Sequence, residues 1–319
     1  MKKCIKSSSV FCFVLLALFL GNSAVVKAQH DTSLAIEGRW DMTFSAGGHE
    51  YPSWMEIEMS GIKTLVGRYV AVGGSARPVA KVNYKDGSFD FTIPPQWETG
   101  NDITVSGTMQ GHDSLSGTIL TANGKTLNWT AVRAPLLKRT EPPVWGKPIK
   151  IFNGTNLDGW HAESGTNQWI AKDGVLTSPH SGANLMTDQT FTDFKLHIEF
   201  KYPKGSNSGV YLRGRYETQV EDSKGMEPDS HLLGGIYGFL VPNTLDCAKS
   251  AGEWQSYDIT LVGRMVTVAL NGKEIIIKQN IPGITGGAID SKEGEPGPIL
   301  LQGDHGPIEY RNITITPAK

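Results

Sequence analysis

The chain of 319 residues carries 30 Lys and Arg against 32 Asp and Glu, a formal charge of -2 with the signs mixed throughout. That balance gives no electrostatic reason to bind nucleic acid or an anionic membrane, and past the amino terminus no apolar run is long enough to span a bilayer. Plentiful glycine and aromatic residues with little helical periodicity predict an all-β chain, and the length predicts two domains.

Met1-Lys2-Lys3 and Lys6 precede an apolar run from Val10 to Leu20, and Val26-Lys27-Ala28 supplies a small-residue pattern before Gln29. This predicts a secretory signal peptide over residues 1–28, cleaved near Ala28, and a periplasmic or secreted mature protein. Cys4 and Cys12 leave with it, and neither sits in a lipobox-like setting. Cys247 then has no partner for an internal disulfide.

Residues 31–133 repeat one idea, a short alternating segment followed by a turn. Examples are Gly38-Arg39-Trp40-Asp41-Met42-Thr43-Phe44, Trp54-Met55-Glu56-Ile57-Glu58-Met59 and Ser88-Phe89-Asp90-Phe91-Thr92-Ile93. Asp86-Gly87, Ser106-Gly107, Ser116-Gly117 and Asn123-Gly124 separate such runs at the spacing of a meander, so a small β-barrel or curled sandwich is expected here. No acid, base and nucleophile cluster within it, which suits a supporting or sugar-contacting role. Residues 134–148 hold Pro135, Pro142, Pro143 and Pro148 and read as a semi-rigid linker.

The second domain spans residues 149–319. Phe194 to Tyr202 alternates apolar and polar without a fault, and Tyr257–Val262 and Met265–Leu270 continue the pattern. Asn271-Gly272 closes a hairpin into Glu274-Ile275-Ile276-Ile277. About a dozen strands and no long helix predict a jelly-roll sandwich.

Two strands there carry chemistry. In Asn207-Ser208-Gly209-Val210-Tyr211-Leu212-Arg213, Tyr211 and Arg213 share a face opposite Val210 and Leu212; in Glu217-Thr218-Gln219-Val220-Glu221, the two carboxylates flank an amide on one face. Such a patch suits sugar hydroxyls, which need donors and acceptors in fixed directions; polar strand faces turned to water would read the same way. Near the carboxyl end, Gln302 faces opposite Leu301, His305 sits in a glycine-bracketed turn, and Glu309 and Arg311 share a face. Ile313 and Ile315 would continue that charged face, so a bulge or a buried charge pair is expected after Arg311. Lys249 with Glu253 and Trp254, and Tyr237 within Gly234-Gly235-Ile236-Tyr237-Gly238, offer oxyanion donors and a flat face for a sugar ring. Taken singly, a loop lysine, a packed tryptophan and a satisfied tyrosine explain the same residues. No phosphate cradle, His-Glu-x-x-His or paired Cys-x-x-Cys occurs, so no cofactor is expected; loop Asp and Asn residues leave a structural calcium open without a readable motif.

Six blocks occur in one order: Ile151-Phe152-Asn153-Gly154 with Leu157-Asp158-Gly159-Trp160; Asn207-Ser208-Gly209-Val210; Glu217-Thr218-Gln219-Val220; Gly235-Ile236-Tyr237-Gly238; Lys249 with Gly252-Glu253-Trp254; and His305-Gly306 with Tyr310-Arg311-Asn312-Ile313. Together they resemble the 3-keto-disaccharide hydrolase domain family, from about residue 149 to the end. The resemblance implies a concanavalin-like jelly roll, export, and a small-molecule substrate, a glycoside whose C3 hydroxyl has been oxidised to a ketone. That ketone acidifies the C2 proton, so a base can remove it, the aglycone can leave C1 by elimination, and water can add afterwards. Glu217 or His305 is the expected base, with Tyr237 or the other of that pair as acid. Arg213 and Lys249 are the expected donors to the enolate, and Asn207, Gln219, Glu253, Trp254, Gln302 and Arg311 the expected substrate contacts.

Two rival readings remain at this level. One is a retaining β-glucanase-like glycosidase using Glu217 and Glu221, whose Cα atoms would lie roughly 13 Å apart on a strand although retaining carboxyls must approach to about 5 Å. The other is a carbohydrate-binding protein without catalysis.

Overall fold

The computed structural model describes residues 34–319, so the signal-peptide reading of residues 1–28 falls outside the described residues. All regular structure among them is β, as expected, and residues 36–319 form one compact unit. Strands β1 (Gly38–Ala46), β2 (His49–Ser60), β3 (Thr64–Val70), β4 (Arg77–Lys85), β5 (Ser88–Ile93), β6 (Ile103–Met109), β7 (Ser114–Leu120) and β8 (Thr126–Arg133) close into an up-and-down antiparallel barrel. Closure removes the free sheet edges, and Trp40, Met42, Phe44, Phe89, Phe91 and Trp129 give the barrel a core of its own.

The rest is a two-sheet sandwich, the jelly roll expected from the alternating segments. Its smaller sheet runs β10 (Trp160–Ala162), β13 (Leu185–Thr187), β20 (Leu300–Leu301), β15 (Asn207–Leu212) and β16 (Tyr216–Glu221). Its larger sheet runs β11 (Ile170–Lys172), β12 (Val175–Ser178), β21 (Ile308–Pro317), β14 (Phe194–Lys201), β17 (Gln255–Val262), β18 (Met265–Leu270) and β19 (Lys273–Asn280), with the short β9 (Ile149–Lys150) also on β21. Alternate residues from both sheets, among them Phe194, Leu196, Ile198, Val210, Leu212, Tyr216, Val220 and Ile259, meet in one core.

Two local signals translate directly into geometry. Asn271 and Gly272, at φ 50° and 81°, make the tight turn between β18 and β19, where both central residues need the left-handed region. The phase conflict after Arg311 is resolved by a bulge: the register of β21 on β14 shifts between His197 and Glu199, and Asn312 takes φ 50°.

Residues 134–148 lie along the sandwich. Arg139 pairs with Asp193 at 2.7 Å and Trp145 bridges Ala318. The barrel is packed onto the sandwich through Trp54 and Val70, which join the sandwich core; the Trp54 ring stands edge-on to Phe239 at 5.2 Å. The loop from Ile281 to Glu295 is held against the barrel as well. Thr43 donates to Ser291 at 3.0 Å, the Gly287 amide donates to the Val72 carbonyl at 3.2 Å, and the wholly buried Glu293 faces Asp41 of β1 while accepting from Tyr216 at 2.7 Å and pairing with Arg264.

Burial and the negative Glu293 hold the Asp41 carboxyl far above its usual range, so it is protonated at neutral pH. Folding therefore takes up a proton at Asp41. Stability should be complete below the ordinary carboxylate value and fall as pH rises above it, by up to about 1.4 kcal/mol per pH unit for one such group. Asp41→Asn keeps a donor for Glu293 without needing that proton. Chemical denaturation across pH 5 to 8 should show a steeper loss for the wild type than for the variant; parallel profiles would contradict it.

Candidate active site

The smaller sheet brings half of the expected site residues to one face. Register pairs Tyr211 with Glu217, Gly209 with Gln219 and Asn207 with Glu221, while Val210, Leu212, Tyr216 and Val220 turn into the core. The period-two reading of both strands therefore holds through Leu212. Gln302 joins this face from the end of β20, its amide nitrogen in the main chain donating to the Gly209 carbonyl at 2.9 Å. Its side chain is 9% exposed and its Oε1 has no partner. Tyr237 arrives from a turn that adds hydrogen-bonded rungs beside β16. Gly234 donates to Gln219 at 2.9 Å, Gln219 donates to Gly235 at 2.9 Å and Tyr237 donates to Glu217 at 3.0 Å, all through the main chain.

Glu217 is the centre of this arrangement. It is 3% exposed, and its carboxylate lies over Gly209, where a Cβ would come within 2.4 Å of Oε1; the glycine makes the room. The Tyr211 hydroxyl lies 2.9 Å from Glu217 Oε2 and 3.0 Å from the Gly286 carbonyl. A phenol has one hydrogen, and a carbonyl only accepts. Both contacts are satisfied together when Glu217 carries its proton and donates it to Tyr211, which donates onward to Gly286. Burial acts in the same direction and pushes the Glu217 carboxyl up to about 8, against the hydrogen bond from Tyr211 and the charge of His305, with Asp304 adding a smaller upward push.

His305 supplies the complementary group. Its Nδ1 lies 2.6 Å from Asp304 Oδ1, and the ring is about half exposed at 51%. That hydrogen bond, opposed by partial burial and supplemented by the Asp304 and Glu217 charges, raises the imidazole above its ordinary value. With Nδ1 committed to Asp304, Nε2 is the nitrogen left to exchange a proton with a ligand. Tyr237 feels the charges of Glu217 and Glu221, and burial raises its phenol. Its ring stands edge-on to His231 at 5.1 Å.

Five expected site residues lie elsewhere. Arg213 does not share the face of Tyr211: the strand ends at Leu212, Arg213 takes φ 54° in the turn, and its fully buried guanidinium donates to the Tyr216 hydroxyl and the Gly263 carbonyl, both at 2.9 Å. Lys249 donates to the Trp254 carbonyl at 2.8 Å. Glu253 caps its own loop by accepting from the Ser250 amide at 2.9 Å. Trp254 lies under Arg311, at 3.9 Å, and Lys201, at 5.0 Å, beside the Glu199–Arg311 and Lys201–Glu309 ion pairs. Glu199 and Lys201 alternate with the core-facing Ile198 and Phe200, so this cluster decorates the outer face of the larger sheet. Glu217 and Glu221 are separated on their strand by Gln219, and the group in contact with Glu217 is a phenol rather than a second carboxylate.

The sequence profile described as the 3-keto-alpha-glucoside-1,2-lyase-like domain matches residues 147–316. The chain belongs to this family. A 3-keto-disaccharide hydrolase from Bacteroides thetaiotaomicron is 25% identical over 167 residues, covering 40% of this chain and 57% of that protein, so the chain spans little more than half the length of that curated relative. Two crystal structures from Parabacteroides distasonis, both described provisionally as glycosyl hydrolases, are also similar. One is 30% identical over 56% of this chain and 92% of its own, with a TM-score of 0.45; the other is 27% identical over 53% and 98%, with a TM-score of 0.43. The barrel strands lie outside the matched residues.

Three partners of the family blocks were not assigned roles from sequence. Tyr211 was visible only as a phenol on the polar face of its strand, Asp304 only as the residue before His305, and nothing signalled that Gly286 would complete the Tyr211 contact. A carbon-13 titration of the Glu217 carboxyl, assigned by its loss in Glu217→Gln, should show a midpoint near pH 8. Tyr211→Phe removes the donor to the ionised form and should raise it further. A midpoint in the ordinary range of about 4 to 5 would contradict this site.

Proposed function

We propose that the chain is an exported carbohydrate-active hydrolase that cleaves 3-keto-glycosides by elimination followed by hydration. Family membership supports the substrate class, and the amino-terminal sequence pattern supports export. The observation that carries the chemistry is one buried carboxyl, its pKa pushed up by burial, within electrostatic reach of an Asp-supported imidazole.

His305, neutral at Nε2, takes the proton from C2 of the bound keto-sugar, and the electron pair delocalises onto the C3 oxygen. The Tyr237 hydroxyl donates to that enolate. As the enolate collapses, the C1–oxygen bond breaks and Glu217 gives its proton to the departing aglycone oxygen, leaving a C1–C2 double bond. Glu217, now a carboxylate, then removes a proton from water that adds to C1, and the imidazolium returns a proton to C2. Both catalytic groups regain their starting states, and the sum is hydrolysis. Gln302, Gln219 and Asn207 lie on the same sheet face and supply amide donors and acceptors for the remaining hydroxyls.

The active form needs neutral His305 and protonated Glu217. The ratio kcat/KM should therefore rise with pH through an ionisation above the ordinary histidine value of 6.5 and fall again near pH 8. With a 3-keto-glucoside as substrate, Glu217→Gln and His305→Ala should each lose at least about a hundredfold in kcat/KM, with the alkaline limb absent from any residual Glu217→Gln activity. The matching unoxidised glucoside should not be cleaved. Full activity in either variant, or equal cleavage of both glucosides, would refute the reading.

A further inference from the structure

The barrel has its own cavity, separate from the Glu217 face. At its open end, a hollow of about 290 Å³ is lined by Phe44, Tyr69, Ile103 and Ile119 below and by Arg77 and Trp97 at the side and rim. The volume is at the small end of ligand pockets, enough for a single ring with its substituents. Eight-stranded barrels are the size at which an interior can hold one small ligand.

Two features of this hollow are unexplained by folding. Trp97 is 71% exposed, a large apolar surface left in water where the core has no use for it. Arg77 donates through Nη1 to the Pro94 carbonyl, but its buried Nη2 has no partner. Arg77 also has no carboxylate partner among the described residues, and burial lowers its pKa. The lining also holds Gln96, Thr121 and the exposed Glu98, which pairs with no cation among the described residues; the unpaired guanidinium nitrogen of Arg77 costs free energy until an acceptor reaches it. The rim is held in shape: Gln96 accepts from the Ser75 amide and donates to the Ser75 hydroxyl, both at 3.1 Å, and a Cβ on Gly74 would lie 3.1 Å from Trp97 Nε1.

We propose that the open end of the barrel binds a monocyclic aromatic ring bearing an ionised oxygen. The ring stacks on Trp97 above the apolar floor, and the oxygen accepts from Arg77 Nη2. A pyranose fits less well, since Arg77, Gln96, Glu98 and Thr121 are the polar side chains of a lining that is otherwise aliphatic and aromatic. The wall of this site reaches the other one. Val72 and Gly73 line the hollow, the Val72 carbonyl accepts from Gly287, and the neighbouring Gly286 carbonyl accepts from Tyr211, the partner of Glu217. The ring can come as a free aromatic acid or as the aglycone of a glycoside.

Titration calorimetry at neutral pH with 4-hydroxybenzoate separates this proposal from its failure without any turnover being needed. The wild type should bind saturably and benzyl alcohol, which lacks the charge, at least about tenfold more weakly. Arg77→Gln should weaken 4-hydroxybenzoate by at least about tenfold, and Trp97→Ala, at a side chain with no core role, should remove binding. A glucoside of 4-hydroxybenzoate that binds equally well identifies an aglycone as the source; one that does not bind identifies a free aromatic acid. Absence of saturable binding to the wild type, or undiminished binding in both variants, would overturn the proposal. Binding without cleavage of any 3-keto-glycoside would leave this site standing and refute the catalytic reading.

Discussion

The structure depends on one wedge of chain, the loop from Ile281 to Glu295, caught between the barrel and the smaller sheet of the sandwich. Its anchor is Glu293, a wholly buried carboxylate satisfied by Arg264 and Tyr216 of the sandwich and by the protonated Asp41 of the barrel. A buried charge with its partners removed is far more costly than one that is fully paired, so this contact fixes where the loop sits. Gly286 is thereby placed over the sheet, close enough to accept from Tyr211; a Cβ there would run within 2.2 Å of the Gly74 carbonyl. The barrel thus takes part in closing the region around Glu217 without lending it an ionisable group.

That closure explains why a strand glutamate is a plausible acid. On an open antiparallel face, Glu217 would be solvated and ionised at neutral pH. Under the 285–287 segment and the Tyr237 turn it loses its water, and one phenol is left as its direct side-chain partner. His305 remains half exposed and supported by Asp304. The two groups thereby differ in solvent access and in what sets their proton affinity, burial for Glu217 and the Asp304 hydrogen bond for His305.

Much of this was legible from residue order. Period-two alternation identified the faces of β15 and β16 and the irregularity after Arg311 that became a bulge, and the Asn-Gly pair identified the turn at Asn271 and Gly272. It failed at Arg213 because the strand stops one residue earlier and a left-handed turn redirects the side chain inward. Trp254 and Arg311, expected as substrate contacts from the family resemblance, lie apart from Glu217; alternation says that two residues share a face but not which face of the sandwich that is. Trp254, Arg311 and Lys201 instead satisfy one another by cation–π and ion-pair contacts on the outer side of the larger sheet. The desolvation of Glu217 was not legible at all, because it comes from the Tyr237 turn and from a segment some 70 residues further along the chain, as the Glu217-to-Thr285 hydrogen bond records.

The central claim is that cleavage passes through loss and regain of the C2 proton, with Glu217 and His305 as the groups that move protons. The most direct measurement is the isotopic content of the released sugar after turnover of a 3-keto-glucoside in deuterated water, read at short times before the free keto-sugar exchanges by itself. The account predicts one deuterium at C2 per turnover. A sugar released with its original C2 hydrogen intact, together with an unchanged rate for a substrate deuterated at C2, would contradict it and point to direct displacement at C1.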